Sequence, residues 1–115
     1  MEILTLASKT SSESSPFAAT FSFAPTIVHM WLQFKPDGSD GDDNSYNWRY
    51  GGTVALMSKI TTTYARYQGA WASHSQSYCY TKKSSDGKTL YWYGIGDFCT
   101  ESGEAKYSLV VIGFA

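Results

Sequence analysis

Short apolar and alternating segments, several with a period of two, are separated along this chain by polar turn-rich stretches, and no segment keeps a helical period long enough to cover a sheet. Ile3 to Ala7 is the first short strand that this pattern predicts. Ser8 to Pro16, SKTSSESSP, is polar and Ser-rich and predicts a loop or connector. Ala18 to Phe23 predicts a strand with Phe21 and Phe23 on one face, and Pro25 breaks the run. Thr26 to Phe34, TIVHMWLQF, is β-branched and aromatic-rich, and apolar on both faces in its middle. Such a strand is either buried on both sides or turns its outer face to a partner. Lys35 to Ser45, KPDGSDGDDNS, carries the Pro, Gly and Asp chemistry of a long turn.

Tyr46, Trp48 and Tyr50 alternate with Asn47 and Arg49, so in a strand the three rings share one face. Gly51-Gly52 predicts a turn, and Thr53 to Met57 a short strand. Ser58 to Ala72 predicts irregular or extended chain, because the Thr61-Thr62-Thr63 run favours a strand while Tyr64 to Arg66 fits a helical turn. Ser77 to Lys82 and Thr89 to Tyr93 flank the Asp86-Gly87 hairpin signal, with Tyr78 and Tyr80 on a common face. Gly94-Ile95-Gly96 reads as a turn and not a phosphate loop, since no helix follows it. In Ala105 to Phe114 the unbroken run Leu109 to Ile112 belongs in the middle of a sheet, which places the end of the chain in the core. Turn signals recur at roughly ten-residue spacing. The expected fold is all-β, a small antiparallel β-sandwich of about seven to eight short strands whose sheets cover each other, in one domain over residues 1–115.

Composition sharpens one point. Four Trp, nine Tyr and six Phe are more large rings than the core of a 115-residue chain needs. Some of them are therefore expected on the surface or in an interface. Nine basic residues against ten acidic ones leave no electrostatic footprint for nucleic acid. No apolar run is long enough to span a membrane, and the start lacks the basic and apolar regions of a signal peptide. Two cysteines, Cys79 and Cys99, are too few for a disulfide scaffold. Reduced thiols are the expected state, with one bridge open to them if the two sit on adjacent strands.

Three pieces occur in order: Phe21-Ser22-Phe23-Ala24-Pro25-Thr26-Ile27-Val28, then Lys88-Thr89-Leu90-Tyr91-Trp92-Tyr93-Gly94, then Ala105-Lys106-Tyr107-Ser108-Leu109-Val110-Val111-Ile112-Gly113. The pattern resembles a small C-terminal domain of tail proteins in bacteriophages and prophages. That family shows an F-x-F-x-P strand entry, a later W-Y strand and a final apolar strand ending in Gly. Where it often carries Asn before the last strand, this chain has Ser102-Gly103-Glu104. The resemblance implies a virion protein of the tail tip, fibre or baseplate, commonly trimeric, and no mapped receptor site comes with it.

Candidate chemistry is sparse. Asp37, Asp40, Asp42, Asp43 and Asn44 offer oxygens to Ca²⁺, but the spacing is not that of an EF-hand and the bidentate Glu is missing, so a solvated turn is the better reading. His29 reads as a satisfied core or interface histidine. His74 and Cys79 lack an orienting acid and an oxyanion hole, and the spacing of His29, His74, Cys79 and Cys99 lacks a zinc signature. No catalytic centre and no cofactor are expected. The aromatic groups carry the information: Tyr46, Trp48 and Tyr50 with Arg49 beside them, and Tyr64, Tyr67 and Trp71. Such rings stack on sugars while neighbouring polar groups bind hydroxyls, and they equally fill cores and subunit interfaces. Two functions follow as expectations. One is adhesion to a host-surface saccharide or a neighbouring virion protein by a homo-oligomer, expected as a trimer. The other is a purely structural virion role such as a capsid decoration or collar.

Overall fold

A computed structural model describes residues 1–7, 9, 11–34, 49–66, 70–71, 78–95 and 107–115, and folds them into two antiparallel sheets. Among the described residues nine strands form: β1 Glu2–Ala7, β2 Phe17–Thr20, β3 Ile27–Phe34, β4 Arg49–Leu56, β5 Ala65–Arg66, β6 Ala70–Trp71, β7 Tyr78–Lys83, β8 Thr89–Ile95 and β9 Tyr107–Phe114. The five-stranded sheet has the order β1-β9-β3-β4-β6 and the four-stranded sheet the order β2-β8-β7-β5. Among the described residues, helix is confined to one 3-10 turn, Met57–Lys59. The fold is all-β, as the period-two pattern requires.

The core lies between the sheets and draws on both. Val28, Met30, Ala55, Leu109 and Val111 come from the larger sheet, and Phe17, Ala19, Leu90 and Trp92 from the smaller. Phe21, Met57 and Ile60 close its ends, and Leu4 and Leu6 pack at its margin. Trp92 is fully buried and stacks on Phe17 with ring centroids 5.4 Å apart. One connection passes between sheets just after β4. The Met57 N–H donates to the Thr26 carbonyl (3.0 Å) in the larger sheet, and the Lys83 N–H donates to the Thr61 carbonyl (2.8 Å) in the smaller. Met57 and Ile60 face inward along this passage and seal that end of the core.

Four expectations need correction. The strand placed at Ala18 to Phe23 runs from Phe17 to Thr20 with Phe17 and Ala19 inward, and just past its end Phe21 is buried while Phe23 is only half-buried. The pull on Phe17 is its stacking on Trp92, a partner far away in sequence. Gly51-Gly52 is not a turn. β4 passes through both glycines, and its register against β3 shifts between Met30–Thr53 and Leu32–Tyr50. Two residues of β4 thus face the single position Trp31, which is a β-bulge, a feature that glycine accommodates as readily as a turn. Gly94 likewise lies inside β8, opposite Cys79, at φ 130°. Finally, β9 lies inside its sheet, between β1 and β3, as expected, but the chain does not end in the core. Leu109, Val111 and Gly113 face the core while Val110 and Ile112 are half-buried, and Phe114 at its end is exposed.

The Asp86-Gly87 hairpin forms as its sequence requires. Gly87 takes φ 76°, the left-handed region that glycine enters without strain, and its N–H donates to the Ser84 carbonyl (2.9 Å). The Asp86 carboxylate accepts from the Ser84 hydroxyl (2.7 Å) and the Lys88 N–H (3.0 Å). Those two bonds, the hydroxyl first, hold its carboxyl below the usual range.

Candidate functional site

The smaller sheet turns Leu90, Trp92 and Thr81 inward, so the alternate positions of β7 and β8 face outward. These are Tyr80 and Lys82 on β7, and Tyr91 and Tyr93 on β8. Register aligns them in two rows. Tyr80 pairs with Tyr93 and, on its other flank, with Arg66. Lys82 pairs with Tyr91, and Tyr91 in turn with Ala18 of β2.

Ring contacts lock this face. Tyr80 and Tyr93 stack at 5.3 Å with an interplanar angle of 21°. Tyr64, just before β5, meets Tyr93 edge-on at 4.8 Å and 82°. The Lys82 ammonium sits 4.9 Å from the Tyr64 ring centroid and 5.2 Å from that of Tyr91, within the range where the negative face of a ring attracts a cation. All four tyrosines remain half-buried. Arg66 is exposed, and Glu13, in the Ser12–Ser15 turn, lies close enough to act electrostatically on Tyr64 and Tyr93.

Partial burial pushes the Tyr64 and Tyr93 hydroxyls above their ordinary value of 10.0, and the neighbouring phenols and Glu13 add to it. The folded state therefore favours the neutral phenols. Their contribution to stability is complete below the unfolded value near 10 and is lost as pH rises through the folded values. Unfolding midpoints in urea are expected to hold steady from neutral pH to about pH 9 and to fall beyond it. Phenolate absorbance should show at least two hydroxyls titrating late. A set of tyrosines that all titrate together near 10 would contradict the packed face.

The outer face of the larger sheet has a different character. Ile3 of β1 pairs with Ile112 of β9, which pairs with His29 of β3, which pairs with Val54 of β4. Beside this row stand Phe114, Ile27 and Leu56, again in one line across three strands. Ile3 is 57% exposed, Ile27 38% and Phe114 36%, and none of these positions except His29 is titratable. His29 is half-buried here, outside the core.

Few of the residues singled out in the sequence fall in these places. Tyr46, Trp48, Tyr67, His74 and Cys99, and the acidic turn with Asp37, Asp40, Asp42 and Asp43, lie outside the described residues. Arg49 and Tyr50 open β4 and Trp71 closes β6, with their side chains outside the description. The grouping of Tyr64 with Trp71 is not kept. β5 pairs with β7 in the smaller sheet and β6 with β4 in the larger, so Tyr64 joins the tyrosine face while Trp71 pairs with Thr53. The sequence pattern does not single out Tyr91, Tyr93 or Lys82 as candidate site residues. Their signal was the shared parity of SYCYTK and TLYWY across one hairpin, which aligns outward positions once the turn is fixed.

Among the described residues no cluster of His, Cys, Asp or Glu is arranged to hold a metal ion, and no helix is long and apolar enough to cross a membrane. A shallow cleft between Pro25, Met57 and Gly87 offers a single cation, Lys83, whose ammonium already donates to the Met57 carbonyl (3.0 Å). Comparison with protein-family models, curated proteins and solved structures finds no match.

Proposed function

We propose that this chain acts by binding and not by turnover, as a bacteriophage tail-type domain that meets a host-surface saccharide or a neighbouring virion protein through the tyrosine face of its smaller sheet. The observation that carries the reading is the outward set Tyr64, Tyr80, Tyr91 and Tyr93, half-buried, with Tyr93 packed against Tyr64 and Tyr80 and the Lys82 ammonium held over Tyr64 and Tyr91. A core would bury such rings completely. A surface with no partner to meet gains little from ordering four of them. The resemblance of the F-x-F-x-P, W-Y and final apolar strands to phage tail domains supplies the setting.

The second reading, a structural virion component that assembles with copies of itself, is favoured by the apolar face around Ile3, Ile112 and Phe114. That face is also where a homotrimer would form in the first reading.

Purified protein is expected to bind host cells or cell-wall glycan, and Tyr93→Ala to weaken that binding about fivefold or more, the usual worth of a packed interface ring. Unchanged binding by Tyr93→Ala would remove the face from the function. Tight binding to empty virions with none to any host fraction would favour the structural role. Hydrolysis of a glycan or ester that is lost in His74→Ala would overturn the reading as a binder.

A further inference from the structure

We propose that the tyrosine face is a site for an anionic saccharide, with a sugar ring laid against Tyr91 beside Ala18 and its carboxylate or phosphate on the Lys82 ammonium. This rests on the reading of that face as the binding surface and adds the ligand's chemistry.

Three observations converge on one row across the sheet. Ala18, Tyr91 and Lys82 stand side by side on β2, β8 and β7. Adjacent strands lie about 4.8 Å apart, so the row is roughly 10 Å long, enough for a sugar ring and its substituent. Ala18 is exposed and carries only a methyl group, so the β2 residue paired with Tyr91 leaves room beside its ring, which keeps part of its surface exposed. At the other end, Lys82 is fixed by two rings. Its ammonium has three N–H donors, and among the described residues no carboxylate pairs with it. A cation already held in place loses little freedom when an anion arrives, which is the condition under which a surface charge adds affinity.

The electrostatics select an anion and also its place. Lys82 holds its positive charge against the rings of Tyr64 and Tyr91, on the outward side of the sheet. The ammonium stands in the row Ala18, Tyr91 and Lys82, so an anion bound to it lies beside Tyr91. An apolar protein surface fits less well here, because covering Lys82 would strip water from a charge without giving it an acceptor. Saccharide hydroxyls and acid groups supply acceptors both to the ammonium and to the tyrosine hydroxyls.

The test is a calorimetric or NMR titration of the full chain with three probes: an oligogalacturonate, the same oligomer as its methyl ester, and a sugar-phosphate oligomer. The ester keeps the rings and removes the charge. The acid is expected to bind roughly two- to fivefold more tightly than the ester, the scale of an exposed ion pair, and added salt should narrow the gap. Lys82→Gln should abolish the preference, Lys82→Arg should keep it, and Tyr91→Ala should weaken acid and ester together. Comparing the carboxylate and phosphate arms identifies which anion is taken. Equal binding of acid and ester, or a preference that survives in Lys82→Gln, would overturn the proposal. So would a lack of binding to every saccharide. If Tyr93-dependent binding to host or virion fractions persists in that last case, only the ligand class falls; if it is also absent, the binding face falls with it.

Discussion

Replacing Trp92 by alanine is expected to cost about 3–5 kcal/mol of folding free energy, the range for truncating a fully buried ring. Trp92 has no exposed surface, and it lies at the centre of the smaller sheet's inner face, stacked on Phe17 of the neighbouring strand. Two terms add. One is the lost transfer of a large apolar side chain out of water. The other is the cavity left between two sheets whose backbones are held apart by other side chains and so cannot collapse into it. Domains of this size are stable by about 5–15 kcal/mol, so the variant should retain a fold with Tm lower by on the order of 10–20 °C. Urea unfolding followed by far-ultraviolet circular dichroism is the appropriate measurement, because the substitution removes one of the fluorescent reporters. Trp92→Phe keeps the stacking on Phe17 and should cost clearly less. A loss of under about 1 kcal/mol in Trp92→Ala would mean that the sheets do not meet across this residue.

Gly113→Ala is expected to destabilise by about 1–3 kcal/mol, the usual cost of overfilling a packed site. Intrinsic preference points the other way, since alanine in place of a strand glycine gains about 0.5–1 kcal/mol from reduced chain entropy. Geometry decides the sign. A Cβ at position 113 would lie 2.7 Å and 2.8 Å from Cε1 and Cδ1 of Phe21, closer than such atoms approach. Phe21 has little room to retreat: its ring is buried and also contacts Phe23, while its N–H is tied to the Lys88 carbonyl at 2.9 Å. Gly113 is equally fixed, paired with Val28 on one side and Glu2 on the other. The ring of one sheet thus rests on the bare backbone of the other. A double-mutant cycle isolates this contact. In a Phe21→Ala background, Gly113→Ala should cost close to nothing or be favourable, giving a coupling of about 1–3 kcal/mol. Equal costs in both backgrounds would show that the two residues do not touch.

Both substitutions test the joint between the sheets, on which the outward faces depend. The tyrosine face has its shape because Leu90 and Trp92 are drawn inward, leaving Tyr91 and Tyr93 no direction but outward. A strand of β8 with slipped register would exchange the two sets and put the tyrosines in the core. The binding reading and the stability measurements are therefore linked through one strand.

Much of this was legible in the residues. The period-two alternation determined strands, the Asp86-Gly87 pair determined a tight hairpin, and the run Leu109 to Ile112 marked β9 as an interior strand of its sheet. These are local signals: sterics at a turn and the alternation of side chains along a strand act within a few residues. The excess of rings over core space was legible as well, and Phe114, Tyr64, Tyr80, Tyr91 and Tyr93 all retain exposure. Which rings would stay outside was not legible. Phe17 is buried through Trp92, Tyr64 and Trp71 part company because β5 and β6 pair with different sheets, and Gly51-Gly52 becomes a bulge because β3 is there to pair with both of its flanks. Each of these outcomes depends on a partner strand remote in sequence. Pattern along the chain sets which side chains share a face, but only the pairing of distant strands decides which face meets the core and which meets solvent.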